Sequence, residues 1–536
     1  MASSCDHTPP SADTLVQVVW FKRDLRLRDH RPLRLAADAG PVLALYVYEP
    51  ALLTAPDFDG AHLRQINAAL AELADALAAR GGTLVTRVGD MPAVLEQLSH
   101  DVTIAALYSH EETTQAVAYA RDRAVRRWVR ARGIPWHETP QTGVVRRLPS
   151  RDAWAARYDE RMAEPPVPAP ERMHAVSLTS EGLLTADALR ARGVNVPSDS
   201  HPLFTPGGER VARRTLAAFL RDRGVDYRRA MSSPLTAPSS CSRISEHLAI
   251  GTLSIRQALH AAAAQRVALH AQRRAGEPVD ARWFQSLQSF EARLHWHCHF
   301  MQKLEDEPAL EFRCACAPFE ALRERGAHPE RLAAWQAGRT GVPFVDACMR
   351  QLRATGWLPF RMRAMLVSYA AWDLWLDWRD FAHWLARQFV DYEPGIHYMQ
   401  LQMQSGVTGI NTLRIYNPWQ QGERFDPDGT YIRTWVPELA HLPADVIHRP
   451  HALPPLLAAM YEFVPGAAYP FPLVDHATAV RTAKARVSAV QQAPETRRAA
   501  RRVFERHGSR AQSARARGLS DSPDAADESV PQSPML

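Results

Sequence analysis

VQVVWF at residues 16–21 and VLALYVY at 42–48 are two short, β-branched and almost wholly apolar runs. Strands buried on both faces read this way, and they pair in parallel across helical crossovers. Outward from them, HLRQINAALAELADALAARGG (62–82) is an amphipathic helix closed by glycines. TLVTRVGD (83–90) and TIAALYSH (103–110) are further strands, with MPAVLEQLSH between them and TTQAVAYARDRAVRRWVRARG after them as helices. The alternation predicts an α/β fold over 15–145, a doubly wound parallel-sheet domain whose ligands sit beyond the carboxyl ends of the strands. No GxGxxG follows the first strand, so the dinucleotide fingerprint of such sheets is absent.

The remaining chain changes period. Residues 146–208, with AEPPVPAPE and SDSHPLFTPGG, read as an inter-domain linker. From 209 to 488 the spacing is helical almost throughout, which predicts a second, larger all-α domain. Residues 1–14 are expected to be disordered. Residues 489–536, arginine-rich and then acidic with many Ser and Pro, are expected to form a partly helical stretch and a largely disordered tail. A length of 536 residues exceeds one ordinary core, and 46% hydrophobic with 23% charged residues is globular composition.

Several function classes drop out. No run of eighteen apolar residues occurs, and MASSCDHTPPSA lacks the apolar core of a signal peptide, so a cytoplasmic protein with no membrane partner is expected. Six cysteines without a CxxC pair fit a reducing compartment and disfavour a zinc ribbon or a four-cysteine iron–sulfur site. The net charge is +6 and the basic residues are nearly all arginine, which permits nucleic acid as a partner without demanding it. A GC-rich genome produces the same bias.

LHWHCHFMQKLE (294–305) has the look of a metal site. Within a helix, however, His295 and His299 share a face while His297 lies on the apolar stripe of Phe290, Leu294 and Met301. Two histidines without a third ligand predict no metal. Trp372, Trp375 and Trp378 step by three along one predicted helical face, as either a core stripe or an electron-hopping path; Trp384 lies nearby.

Four strings carry a resemblance. VVWFKRDLRLRDHRPL (18–33), SSCSRISEHLAIGTLSIRQ (239–257), AAWQAGRTGVPFVDACMRQLRATGW (333–357) and RIYNPWQQGERFDPDGTYIRTWVPEL (414–439) together resemble the photolyase/cryptochrome family, in order and over roughly residues 15 to 480. The resemblance implies an antenna role for the α/β domain, FAD in the helical domain, and a second chromophore of unspecified identity. It implies that Cys241, Ser242, Arg243, Ile244 and Ser245 hold the flavin diphosphate, a role suited to hydroxyls and N–H groups at a helix start. Cys241 stands where a threonine is usual. Tyr227 matches a flavin contact, Arg363 and Asp391 the ion pair beside the isoalloxazine, and Glu393 a second carboxylate.

Other positions depart from the family. The Asn–Asn–Gly–Gly–Trp block is missing from PGIHYMQLQMQSGVTGIN (394–411), and His397 falls nearest the flavin N5 position. On the substrate wall Trp296 matches, His297 replaces an arginine, and Arg293 occupies a glutamate position, with Glu291 the nearest acid. Trp357, Phe360, Arg361, Trp419 and Gln421 are implied lesion or DNA contacts, with Asn417 on the rim and Arg424 near phosphate; Pro359 and Phe360 replace a usual polar pair. Of the usual three electron-transfer tryptophans only Trp378 matches, Arg325 and a position near Leu401 replacing the others. The implied activity is blue-light-driven splitting of UV-induced pyrimidine dimers by a monomer on damaged DNA, the alternative a cryptochrome-like photoreceptor without repair. Neither needs a general acid–base dyad.

Overall fold

The computed structural model describes residues 15–509 apart from Ser177. Its N-terminal strands form one parallel sheet in the order β3-β2-β1-β4-β5. β1 is Leu15–Phe21, β2 Val42–Tyr48, β3 Leu84–Val88, β4 Thr103–His110 and β5 Trp136–Thr139. The chain steps outward from β1 to β3 and then crosses back, so its change of direction falls between β1 and β4. Successive residues of β1 enter two different cores. Val16, Val18 and Trp20 meet Leu95, Leu98, Val125 and Val129, while Val19 and Phe21 meet Leu33, Leu70, Leu73 and Leu77. Helices therefore cover both faces, as a strand with no polar side requires. β5, WHET, has no apolar run and is not legible in the sequence.

The connection over 146–208 is more ordered than its proline content suggests. It carries a helix, Trp154–Ala163, whose Trp154, Tyr158 and Met162 enter a core with Phe219, Phe290, Leu294 and Cys298. The helical part is organised by the 25-residue helix Arg282–Asp306. A larger core lies beside it, where Met362, Met365, Leu385 and Tyr398 are fully buried. The tail also begins with order. Pro494–His507 is a helix that buries Thr496, Ala499, Val503 and His507 and leaves its arginines outside, at the place of the partly helical basic stretch expected there. The expectations for 1–14 and 510–536 lie outside the described residues.

The α/β part docks on the helices through buried polar contacts. Arg23, just past β1, donates Nε to the Ala249 carbonyl at 2.7 Å and a terminal N–H to the Tyr392 carbonyl at 2.9 Å. Tyr392 donates its hydroxyl to Asp57 at 2.6 Å, and His62 lies 2.9 Å from the Phe389 carbonyl. Gly251 (φ +70°) makes this approach feasible, since a Cβ there would lie 2.1 Å from the Arg23 carbonyl oxygen. Among the described residues no helix is long and apolar enough to cross a membrane.

Candidate functional site

The segment Cys241–Ser245 links the short helix Ala237–Ser240 to Ser245–Ala249. Arg243 takes a left-handed backbone (φ +56°), uncommon for any residue with a Cβ, and its guanidinium lies over Trp357 at 3.9 Å. Arg223 braces the segment from behind, donating to the carbonyls of Cys241 (2.6 Å) and Ser242 (3.2 Å). The pairing expected of Arg363 and Asp391 is a bidentate fork of two 2.8 Å hydrogen bonds, with Arg363 Nε on the Leu358 carbonyl at 2.7 Å. Asp391 is 4% exposed at its side chain. Burial pushes its pKa up, but Arg363, the Ser245 hydroxyl and Arg243 outweigh this and hold the carboxyl below its usual range. Ser245, expected to face phosphate, is thus a ligand of Asp391. Burial raises the neighbouring Glu246.

These contacts join Ser245, Arg363 and Asp391 into one network with Arg243, stacked on Trp357, at its edge. Three arginines (223, 243 and 363) converge on it, and Arg243 Nε is buried without a protein partner, so a cation is available to an anionic group such as a diphosphate. Arg223 and Glu246 escaped sequence reasoning; a resemblance restricted to matching strings does not reach Arg223. Tyr227 is buried, with Arg293 as its hydrogen-bond partner.

His297 and Glu393 sit together instead of apart. His297 Nε2 lies 2.6 Å from Glu393 Oε1, and both line the cleft between the two parts of the molecule, with Arg23, Thr113, Gln141 and Met301. Burial lowers the imidazole's proton affinity, yet the facing Glu393 carboxylate overrides it and raises the pKa to about 10, so the ring is cationic at neutral pH. The other two histidines of LHWHCHF serve packing. His295 meets Trp154 (4.9 Å) and Tyr158 (4.7 Å), and His299 pairs with Arg151. His397 Nε2 sits 2.9 Å from the Ala382 carbonyl, and burial lowers its pKa to about 4. The neutral ring therefore donates from Nε2, leaving only Nδ1, an acceptor, for a ligand.

The expected DNA-facing residues divide. Phe360 is 48% exposed, and Arg361 and Arg424 flank Phe425 at 5.3 and 5.2 Å. Gln421 has a buried amide oxygen without a partner. Trp419, in contrast, is 9% exposed and packs on Arg449 and His451, so it is core and not rim. Asn417 spends its side chain capping the Pro418–Phe425 helix, accepting from the N–H groups of Trp419 and Gln420. Trp296 packs on His299 and Phe300. Glu291 is engaged with Arg266 at 2.7 Å.

The tryptophan ladder is broken. The helix loosens into a π turn at Tyr369–Asp373, Trp375 takes φ +58°, and a new helix starts at Trp378, capped by Asp377. The three rings cannot share a face across that break, which corrects the spacing argument. Trp372 donates its indole N–H to the Gln404 carbonyl, and Trp378 to Cys314 Sγ.

One cluster with metal-ligating atoms stands out among the described residues: Asp24, His30 and His110, at the ends of β1 and β4. His30 Nδ1 accepts the Leu33 N–H at 3.0 Å, so its Nε2 carries the proton and donates to Asp24. That tautomer presents no lone pair to a cation. His110, lowered to about 3 by burial, also bonds Asp24, at 2.7 Å. The cluster is a buried hydrogen-bond knot beside the domain contact.

An α/β sheet domain docked on helices that carry a buried arginine–carboxylate network is the architecture of a two-domain flavoprotein. Residues 17–148 match the DNA photolyase family model, and residues 290–489 the model described as the FAD binding domain of DNA photolyase. The deoxyribodipyrimidine photo-lyase of Escherichia coli is 30% identical over 86% of this chain and 95% of its own. A DASH cryptochrome of Natronomonas pharaonis is 32% identical, covering 85% and 98%. The crystal structure of a bacterial class III photolyase from Agrobacterium tumefaciens superposes with TM-score 0.77 at 27% identity, over 92% of this chain and all of that one. The chain belongs to the photolyase/cryptochrome family.

Proposed function

We propose that this protein is an FAD-dependent DNA photolyase that uses blue light to split pyrimidine dimers in UV-damaged DNA, acting as a cytoplasmic monomer. The observation that carries the reading is the Arg363–Asp391–Ser245 network with Arg243 stacked on Trp357 beside it. Bound there, FAD supplies the light-driven electron for dimer cleavage, and no acid–base step is asked of the protein. Arg243, with Ser242 next to it, would hold the diphosphate, and the Arg363–Asp391 fork would set a fixed local field for the bound group. Trp357 and Phe360 supply apolar surface for bases turned out of the duplex, and Arg361 and Arg424 anchor phosphates without reading sequence.

A photoreceptor without repair is the second reading. It is favoured by the substrate wall, where the nearest acid, Glu291, is engaged by Arg266 and Arg293 holds Tyr227. The test is direct: purified protein with chemically reduced flavin, illuminated with an oligonucleotide carrying a thymine cyclobutane dimer. Restored thymine supports the photolyase reading. Bound, reduced flavin with undiminished dimer after prolonged light refutes it in favour of the photoreceptor.

A further inference from the structure

Photoreduction of a buried flavin needs an electron path, and the tryptophan route suggested by spacing is electrostatically poor. The Arg323 guanidinium lies 4.4 Å from the Trp375 ring and 5.7 Å from Trp372, and Arg486 lies 5.0 Å over Trp375. Oxidising either ring places a new positive charge against a fixed one. Trp378 differs, because the nearby Arg379 is neutralised by Asp377 and Glu320.

Beyond Trp378 the chain offers phenols. The Tyr398 ring is 6.3 Å from Trp378, fully buried, and one residue past His397. Its hydroxyl oxygen is 3.4 Å from that of Tyr392, and Tyr392 donates to Asp57 Oδ2 at 2.6 Å. Tyr392's only proton goes to Asp57, so Tyr398 is the donor in the first contact. Gln115 also donates to that carboxylate oxygen, at 3.1 Å, and Asp57 is 3% exposed. Burial and the Asp57 charge raise both phenols, so both carry their protons.

We propose that Tyr398 is an electron relay for flavin photoreduction and that Tyr392 and Asp57 carry its proton away; this rests on the flavoprotein reading above. One electron leaves Tyr398 for the light-excited flavin, directly or through oxidised Trp378. The Tyr398 O–H bond breaks, its proton passes to the Tyr392 oxygen, and the proton of Tyr392 passes to Asp57 Oδ2. The products are a neutral tyrosyl radical, a protonated Asp57 and one electron on the cofactor. An external thiol returns a hydrogen atom to the radical. Because Asp57 belongs to the α/β part, docking of the two parts becomes a condition for photoreduction.

The test is transient absorption and electron paramagnetic resonance on the FAD-loaded full chain with a thiol reductant, in H2O and D2O. A tyrosyl signal is expected in the parent. Tyr398→Phe should lose it and lower the photoreduction yield roughly tenfold, and Asp57→Asn should lower the yield and abolish the solvent isotope effect. If Tyr398→Phe does not fold, Tyr392→Phe, which keeps the ring and cuts the proton path, is read in its place. A parental yield in these variants, or Trp372→Phe alone stopping photoreduction, overturns the relay. A parent that repairs dimers after chemical reduction yet shows no tyrosyl radical overturns the relay only, whereas a parent that binds no flavin overturns the flavoprotein reading as well.

Discussion

Replacing His297 by glutamine removes the cation that faces Glu393 across 2.6 Å and should flatten a defined part of the pH–stability profile. The ring's pKa rises from the ordinary 6.5 of a histidine to about 10 in the fold. A group held more tightly protonated in the folded state contributes its full stabilisation below pH 6.5 and loses it as pH climbs through 10. At about 1.4 kcal/mol per tenfold change in proton affinity, the loss across that window is roughly 3–5 kcal/mol. Urea unfolding of the parent and His297→Gln at pH 6, 7, 8, 9 and 10 isolates this contribution. Groups common to both proteins, Lys303 with its pKa lowered to about 7 among them, cancel in the difference. The parent should lose roughly 3–5 kcal/mol more than the variant between pH 6.5 and 10. Parallel profiles would refute the ion pair. At neutral pH the variant should be destabilised by about 3 kcal/mol, since it leaves a buried carboxylate unpaired.

Three further outcomes follow from the same geometry. Asp391→Asn leaves Arg363 half of a buried fork and should cost about 3 kcal/mol in urea unfolding, together with loss of bound FAD on gel filtration; retention of both would remove Asp391 from the site. Phe360→Ala should leave stability within about 0.5 kcal/mol, as the ring is 48% exposed, while weakening binding of dimer-containing DNA measured by fluorescence anisotropy. Asn417→Ala should cost about 1 kcal/mol through the lost cap, and a much larger loss of DNA binding than of stability would show that the residue is a contact after all.

Some of the site was readable because its residues lie within short strings. Arg363 with Asp391 pair as the resemblance implies, whereas Ser245, expected to face phosphate, bonds Asp391. Spacing failed for the tryptophans. A step of three presumes an unbroken α-helix, and a π turn followed by a left-handed Trp375 breaks it. Residue type also misled at Trp419 and Asn417, where an aromatic and an amide suited to a rim serve as core and cap.

The sequence by itself determined the alternation of buried strands and amphipathic helices, the change to helical period near 209 and the family, because periodicity and string order are local properties. Only the tertiary structure decided which charges meet. Arg23 reaches Tyr392 across 369 residues, Asp57 reaches the same residue across 335, and His297 finds Glu393 across 96. A buried charge is tolerable only beside its partner, so the fold must bring these pairs together, yet nothing in the spacing of either partner says which one it will be.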